Sequence, residues 1–168
     1  MEWPNGIDTI AHETTLEYNG NTIAVLGNGF NEIFPKENIE LYKKIIEKSG
    51  LIISEYDLNI KAKSEYFIER NRIVSGISDG VLIIESAYRS GTSITARLAK
   101  EQGKKVFALP HDINDKHGTG NNILIKENKA ILVRTTEEII ENMPDIVFQK
   151  TNINKIQKKD KISKTKKR

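Results

Sequence analysis

The strand-like run VLIIES (Val81–Ser86), the loop AYRSGT (Ala87–Thr92) and the run SITARLAKEQ (Ser93–Gln102) are the stretch on which the fold turns. Val81 to Ile84 is continuously apolar and closed by Glu85. It is too short for a helix and lacks polar alternation, so it reads as a strand covered on both faces. Ser90-Gly91-Thr92 is loop chemistry that opens a helix beginning near Ser93, and Gly103 is that helix's stop. Lys105 to Leu109 supplies the next strand. Two such strands joined by a helical crossover form a parallel pair.

The same grammar extends in both directions. Upstream, Thr22 to Leu26 and Leu51 to Ser54 read as strands, and Glu37 to Lys48 reads as the helix between them. Ile39, Tyr42, Ile45 and Ile46 share one face of that helix, and Gly50 ends it. Ile7, Ile10, Ala11 and Leu16 give a looser helical stripe that stops at Asn19-Gly20, and Arg70-Asn71-Arg72 sits on a short helix. Downstream come a long loop from Pro110 to Asn121, a short helix from Asn122 to Lys126 and a last strand from Ala130 to Val133. Thr135 to Asn142 closes the series, with Thr136 as N-cap. The expected fold class is α/β, a doubly wound and mostly parallel sheet, with residues 1–143 as one domain and a Lys-rich disordered tail over 144–168.

The chain has 168 residues and no cysteine, which excludes disulfides and thiolate metal sites and fits a reducing compartment. No apolar run approaches the roughly 18 residues that cross a bilayer, so a soluble, cytoplasmic protein without a membrane partner is expected. The net charge of +3 hides an asymmetry. From Lys150 to Arg168 nine Lys or Arg residues face Asp160 alone, so the tail carries about +8 and the remainder about −5. Nucleic-acid affinity of the folded part would therefore need a local basic patch. The tail itself reads either as a solvated extension or as an electrostatic arm.

In a doubly wound sheet the loops after the strand C-termini line the ligand crevice. Here these are Gly27 to Phe30, Ser86 to Ser93 and Pro110 to Asn121. Ser90-Gly91-Thr92-Ser93 suits an anion, because glycine admits a close approach and the first N–H groups of a helix are free; an ordinary N-cap fits the same residues. Arg70 and Arg72 lie about 200° apart around a helix, so one faces the crevice and the other is solvated or ion-paired. Phe67 could stack on a base, or pack in the core with Val74, which shares its helical face. His111-Asp112 and His117 share one loop and could hold a metal, but a neutral imidazole is equally an ordinary loop hydrogen-bonder. Gly27-Asn28-Gly29 is too short for a dinucleotide fingerprint, and no nucleophile elbow or acid dyad is present. No catalytic set, cofactor or metal is expected.

Several ordered motifs together carry a family resemblance. They are GIDTIAH (Gly6–His12), TIAVLGNG (Thr22–Gly29), Pro35-x-Glu37-Asn38, ISEY (Ile53–Tyr56), F-x-x-RNRIVSGISDGVLIIES (Phe67–Ser86), SGTSITARLAKEQGKKVFALP (Ser90–Pro110) and GTGNNILI (Gly118–Ile125). In this order the chain resembles the DNA-processing protein A family, DprA or Smf, from about Gly6 to Met143. The resemblance implies an extended Rossmann fold, single-stranded DNA as ligand, a homodimer, and delivery of the strand to the RecA recombinase in natural transformation. It implies DNA contacts at Phe67, Arg70, Asn71 and Arg72, with Ser90, Gly91, Thr92, Ser93 and Asn121 lining the same crevice.

Two departures from the family pattern set further expectations. Family members carry, before the segment matching Gly6-Ile7-Asp8, a strand ending in a Gly-Ser-Arg loop, and many carry a C-terminal winged-helix-like domain. The expectation is a truncated or split product, with a separate N-terminal half as a further partner. Two other readings stay open. One is a nucleotide-processing enzyme of the phosphoribohydrolase-like group, whose Pro-Gly-Gly-x-Gly-Thr-x-x-Glu loop Ser90-Gly91-Thr92 echoes without the glutamate. The other is a non-functional remnant.

Overall fold

The computed structural model describes residues 6–88 and 90–146. Most of the basic tail, from residue 147 onward, and Arg89 lie outside the described residues. Helices and strands alternate as α1 (Ile7–Glu17), β1 (Ile23–Val25), α2 (Ile39–Glu47), β2 (Leu51–Ile53), α3 (Ser64–Gly76), β3 (Gly80–Ile83), α4 (Gly91–Glu101), β4 (Lys105–Ala108), α5 (Thr119–Lys126), β5 (Ile131–Leu132) and α6 (Thr136–Glu141). A single 3-10 turn, Lys36–Asn38, leads into α2 after a cis Phe34–Pro35 peptide.

Every strand pairing is parallel, as the apolar runs predict. The strands form two groups, a β1-β2 pair and a trio in the order β3-β4-β5. In the pair, Leu26 N–H donates to Ile53 O and Leu51 N–H donates to Thr22 O. Even-numbered residues of β1 therefore face β2, and Val25 presents its carbonyl to the opposite edge.

Each group has its own apolar cluster. Leu16 of α1 with Leu41 and Ile45 of α2 packs against Ala24 and Ile52. The spacing of Leu41 and Ile45 puts both on one face, which is why α2 forms where its pattern predicts. The second cluster joins Ile83, Val106 and Ala108 to Ala96 and Ala99 of α4 and Leu124 of α5. The two alanines lie a turn apart and let α4 sit close to the trio. Helix α3 bridges the groups, touching β1 and packing along α4. Its fully buried Ser75, whose Oγ donates back to Asn71 O at 3.0 Å, lets the helices approach closely.

Helix ends correct the sequence reading at three places. Thr135, not Thr136, caps α6 by accepting from Glu138 N–H. The stop of α2 is Ser49, which takes a left-handed φ of 61°, while Gly50 donates to Ile45 O at 2.8 Å. Helix α5 begins at Thr119 rather than Asn122, so Gly120 and Asn121 are helical.

Candidate nucleic-acid interface

The C-terminal ends of β1, β3 and β4 carry the residues singled out above. On the β1 side, α3 directs Arg70 inward and Arg72 outward, as their angular separation requires. Arg70 Nη1 donates to Val25 O, the carbonyl at the open edge of β1. Its guanidinium lies 5.6 Å from the Phe67 ring centroid, and burial lowers its pKa. Arg72 instead donates to both carboxylate oxygens of Glu55 at 2.6 Å on an exposed surface. A pair of that kind contributes little to stability.

Phe67 packs beneath the loop after β1. A Cβ on Gly27 would stand 3.0 Å from its ring, and Phe34 lies 5.7 Å away, centroid to centroid. Asn28 is buried in the same loop, donating from Nδ2 to Gly29 O at 3.0 Å and to Glu32 O. His12 closes the far side, 2.6 Å from Thr22 Oγ1, and burial lowers its pKa, with Arg70 adding to the effect. Along the outer rim Tyr56 stacks on Tyr66 at 4.4 Å and donates to Glu69. Burial first, and then the Glu69 carboxylate, push the Tyr56 phenol up to about 12.

On the β3 side the hydroxyl groups form one cluster. Ser86 Oγ is 2.8 Å from Ser90 Oγ and 3.2 Å from Ser93 Oγ. Ser90 occupies the N-cap position of α4 without a side-chain cap bond, so its hydroxyl is spent on Ser86 and the helix start is not closed by it. Gly91 and Thr92 lie in the first turn, and a Cβ on Gly91 would meet nothing within 4 Å. That geometry leaves the N-terminal N–H groups approachable by an anion.

Asn121 is wholly buried and serves as a staple. Its Nδ2 donates to Ile83 O, Ile84 O and Leu109 O at 3.0, 3.0 and 2.9 Å. Reversing the amide would set Oδ1 against three carbonyls, so the orientation is forced. Asn121 therefore shapes the crevice by tying β3 to β4. Gly120, beside it, donates to Ser86 O at 2.7 Å, where a Cβ would come within 2.5 Å of that oxygen.

Among the described residues, three buried side-chain polar atoms have no partner: Asn28 Oδ1, Arg70 Nε and Asn121 Oδ1. All three stand at the C-terminal ends of strands. Buried polar groups are almost always paired, and these three exceptions gather on the side of the fold where the crevice lies. Asn28 and Ser86 lie in two of the loops expected to line the crevice, while His12 joins the site without having been expected there. Their types are common, and only burial distinguishes them.

A parallel α/β frame with an inward arginine and the start of α4 at its strand ends defines a Rossmann-like protein. The comparisons give that class a family. Residues 4–144 match DNA recombination-mediator protein A, and the chain belongs to this family. Protein Smf of Escherichia coli K12 is 48% identical over 138 residues, which is 82% of this chain and 37% of that protein. DNA processing protein DprA of Bacillus subtilis is 36% identical over 88% of this chain and 49% of its own length. The chain thus spans at most about half the length of these relatives. The crystal structure of DprA from Streptococcus pneumoniae superposes with a TM-score of 0.75 and 36% identity, covering 86% of this chain and 50% of that one. DprA from Helicobacter pylori, described for its single-stranded DNA binding mode, superposes with a TM-score of 0.70 at 22% identity, which shows the fold.

Proposed function

We propose that this chain binds single-stranded DNA without chemical turnover, along the strand ends of β1, β3 and β4. The observation that carries the reading is Arg70, a guanidinium drawn inward with Nε unpartnered and, among the described residues, no ion pair to a carboxylate. A buried cation in that state is stabilised by an incoming phosphate oxygen. The start of α4 supplies neutral donors for a neighbouring phosphate, and Phe67 with Asn71 completes the Arg70 side. Phosphate-directed contacts of this kind recognise a strand without reading its bases. Family membership supports the finer reading: a homodimer that passes the strand to a RecA-type recombinase during DNA uptake.

Fluorescence anisotropy with a labelled oligothymidylate, run across a salt series, tests the proposal. Arg70→Ala is expected to weaken binding by about 2 kcal/mol, roughly thirtyfold, and to flatten the salt slope by about 0.7. Arg70→Lys keeps the charge and should retain most of the slope while losing affinity. Equal affinity for duplex and single strand, or unchanged binding by both variants with intact melting curves, would sink the reading.

A further inference from the structure

The loop from Pro110 to Gly118 is tied to the end of β3 by the ring of His111 and to α5 by Asn122. His111 Nε2 lies 2.8 Å from Ile84 O at the end of β3, and Nδ1 lies 3.0 Å from Asp115 Oδ2. Its backbone is latched to α5 by Asn122, whose Oδ1 accepts from His111 N–H at 3.1 Å and whose Nδ2 donates to His111 O at 3.0 Å. The ring rests against Gly118, where a Cβ would overlap it at 2.1 Å.

The hydrogen-bond count decides the charge state. A carbonyl oxygen and a carboxylate oxygen can only accept, so both ring nitrogens must donate, and only the imidazolium has two N–H groups. A neutral ring would turn a lone pair toward either Ile84 O or Asp115. The other oxygen of Asp115 already accepts from His117 N–H at 2.9 Å. The charged groups that act on His111 are Asp115 from its own loop and Glu85 from the end of β3, and both are anionic. His117 stands beyond them, 3.7 Å from Glu85.

We propose that His111 is a positioning residue: as an imidazolium it clasps the β4–α5 loop to the end of β3, and it loosens that loop, and with it one wall of the strand-binding crevice, when the ring loses its proton as pH rises. The link to the crevice rests on the proposed function, because Ile84 O is shared by His111 and the Asn121 staple. The ring's pKa is raised, first by the bond to Ile84 O and then by Asp115 and Glu85. A raised folded-state value means the clasp is complete below the ordinary imidazole value of 6.5 and is lost above it, as pH passes the folded value. His12 shifts the opposite way and titrates below this window.

The test is a histidine-resolved NMR titration of the full chain from about pH 5.5 to 8.5, with the amide protection of residues 111–118, each exchange rate divided by its intrinsic base-catalysed rate, followed in parallel and without DNA. His111 is expected to titrate above 6.5 with both nitrogens protonated at low pH, and loop protection should fall across the same midpoint. His111→Gln can donate but carries no charge, so its loop protection should not change with pH; His117→Gln should keep the wild-type profile. Oligothymidylate affinity should fall across the His111 midpoint by up to about tenfold for each unit by which the strand shifts that midpoint. A midpoint at or below 6.5, or protection indifferent to pH, overturns the clasp whether or not DNA binds. Binding that ignores pH while protection responds overturns the link to the crevice. Failure to bind at all, with protection responding, supports the clasp and overturns the proposed function instead.

Discussion

Replacing Asn121 by leucine is expected to lower stability by about 2 kcal/mol and the melting temperature by roughly 6 °C. Leucine matches the side chain's shape but not its donor. Leu109 O then loses the amide that reaches it at 2.9 Å, while Ile83 O keeps the Leu109 N–H and Ile84 O keeps His111. One carbonyl stripped of its donor inside the fold costs about 1–3 kcal/mol, and removing the unpartnered Oδ1 offsets part of it. Asn121→Asp should be worse, because a carboxylate would face three carbonyl oxygens at about 3 Å. The order wild type, leucine, aspartate in thermal melts is the prediction. A leucine variant melting with the wild type would remove the staple from the account.

Gly29→Ala is expected to cost about 3 kcal/mol, roughly 10 °C. A Cβ at this position would lie 2.1 Å from Asp57 O and 2.4 Å from Leu58 O, so the alanine must drive two backbones apart. Those backbones are joined by Gly29 N–H to Ile60 O at 2.8 Å and Asn31 N–H to Leu58 O at 2.9 Å, and both bonds would be strained together. Gly91→Ala is the matched control, since its Cβ would meet open space, and its stability should stay within about 0.5 kcal/mol of the wild type. Equal melting of the two alanine variants would contradict the close approach.

The order of strands and helices was legible because each apolar run and each i, i+4 face declares itself locally. Val81 to Ile84 needed no partner to read as a strand, and Leu41 with Ile45 is buried as the stripe of α2 requires. What local pattern could not carry was the start of α5. Gly118-Thr119-Gly120 has loop composition, yet the glycines are demanded by His111 and by Ser86 O, and packing overrides propensity there. The angular argument separated the two arginines into an inward and an outward one. It could not say that Arg70 would meet the Val25 carbonyl, because that carbonyl's direction depends on pairing with β2. Asn121 looked like a crevice residue, but its amide is consumed by three strand-end carbonyls that only the folded sheet brings together. His111 read as a neutral loop group because its acceptors come from residues 84 and 115.

The grouping of strands into a pair and a trio, each with a separate apolar cluster, also sets how the chain should come apart. Two kernels joined chiefly through α3 are expected to melt as two foldons rather than one, with a calorimetric enthalpy larger than the van't Hoff value. Arg70 reports to the first kernel and the Ser90 loop to the second. A strand held by both would bind the foldons into one cooperative unit, so saturating oligothymidylate should draw two heat-absorption steps into a single sharper peak.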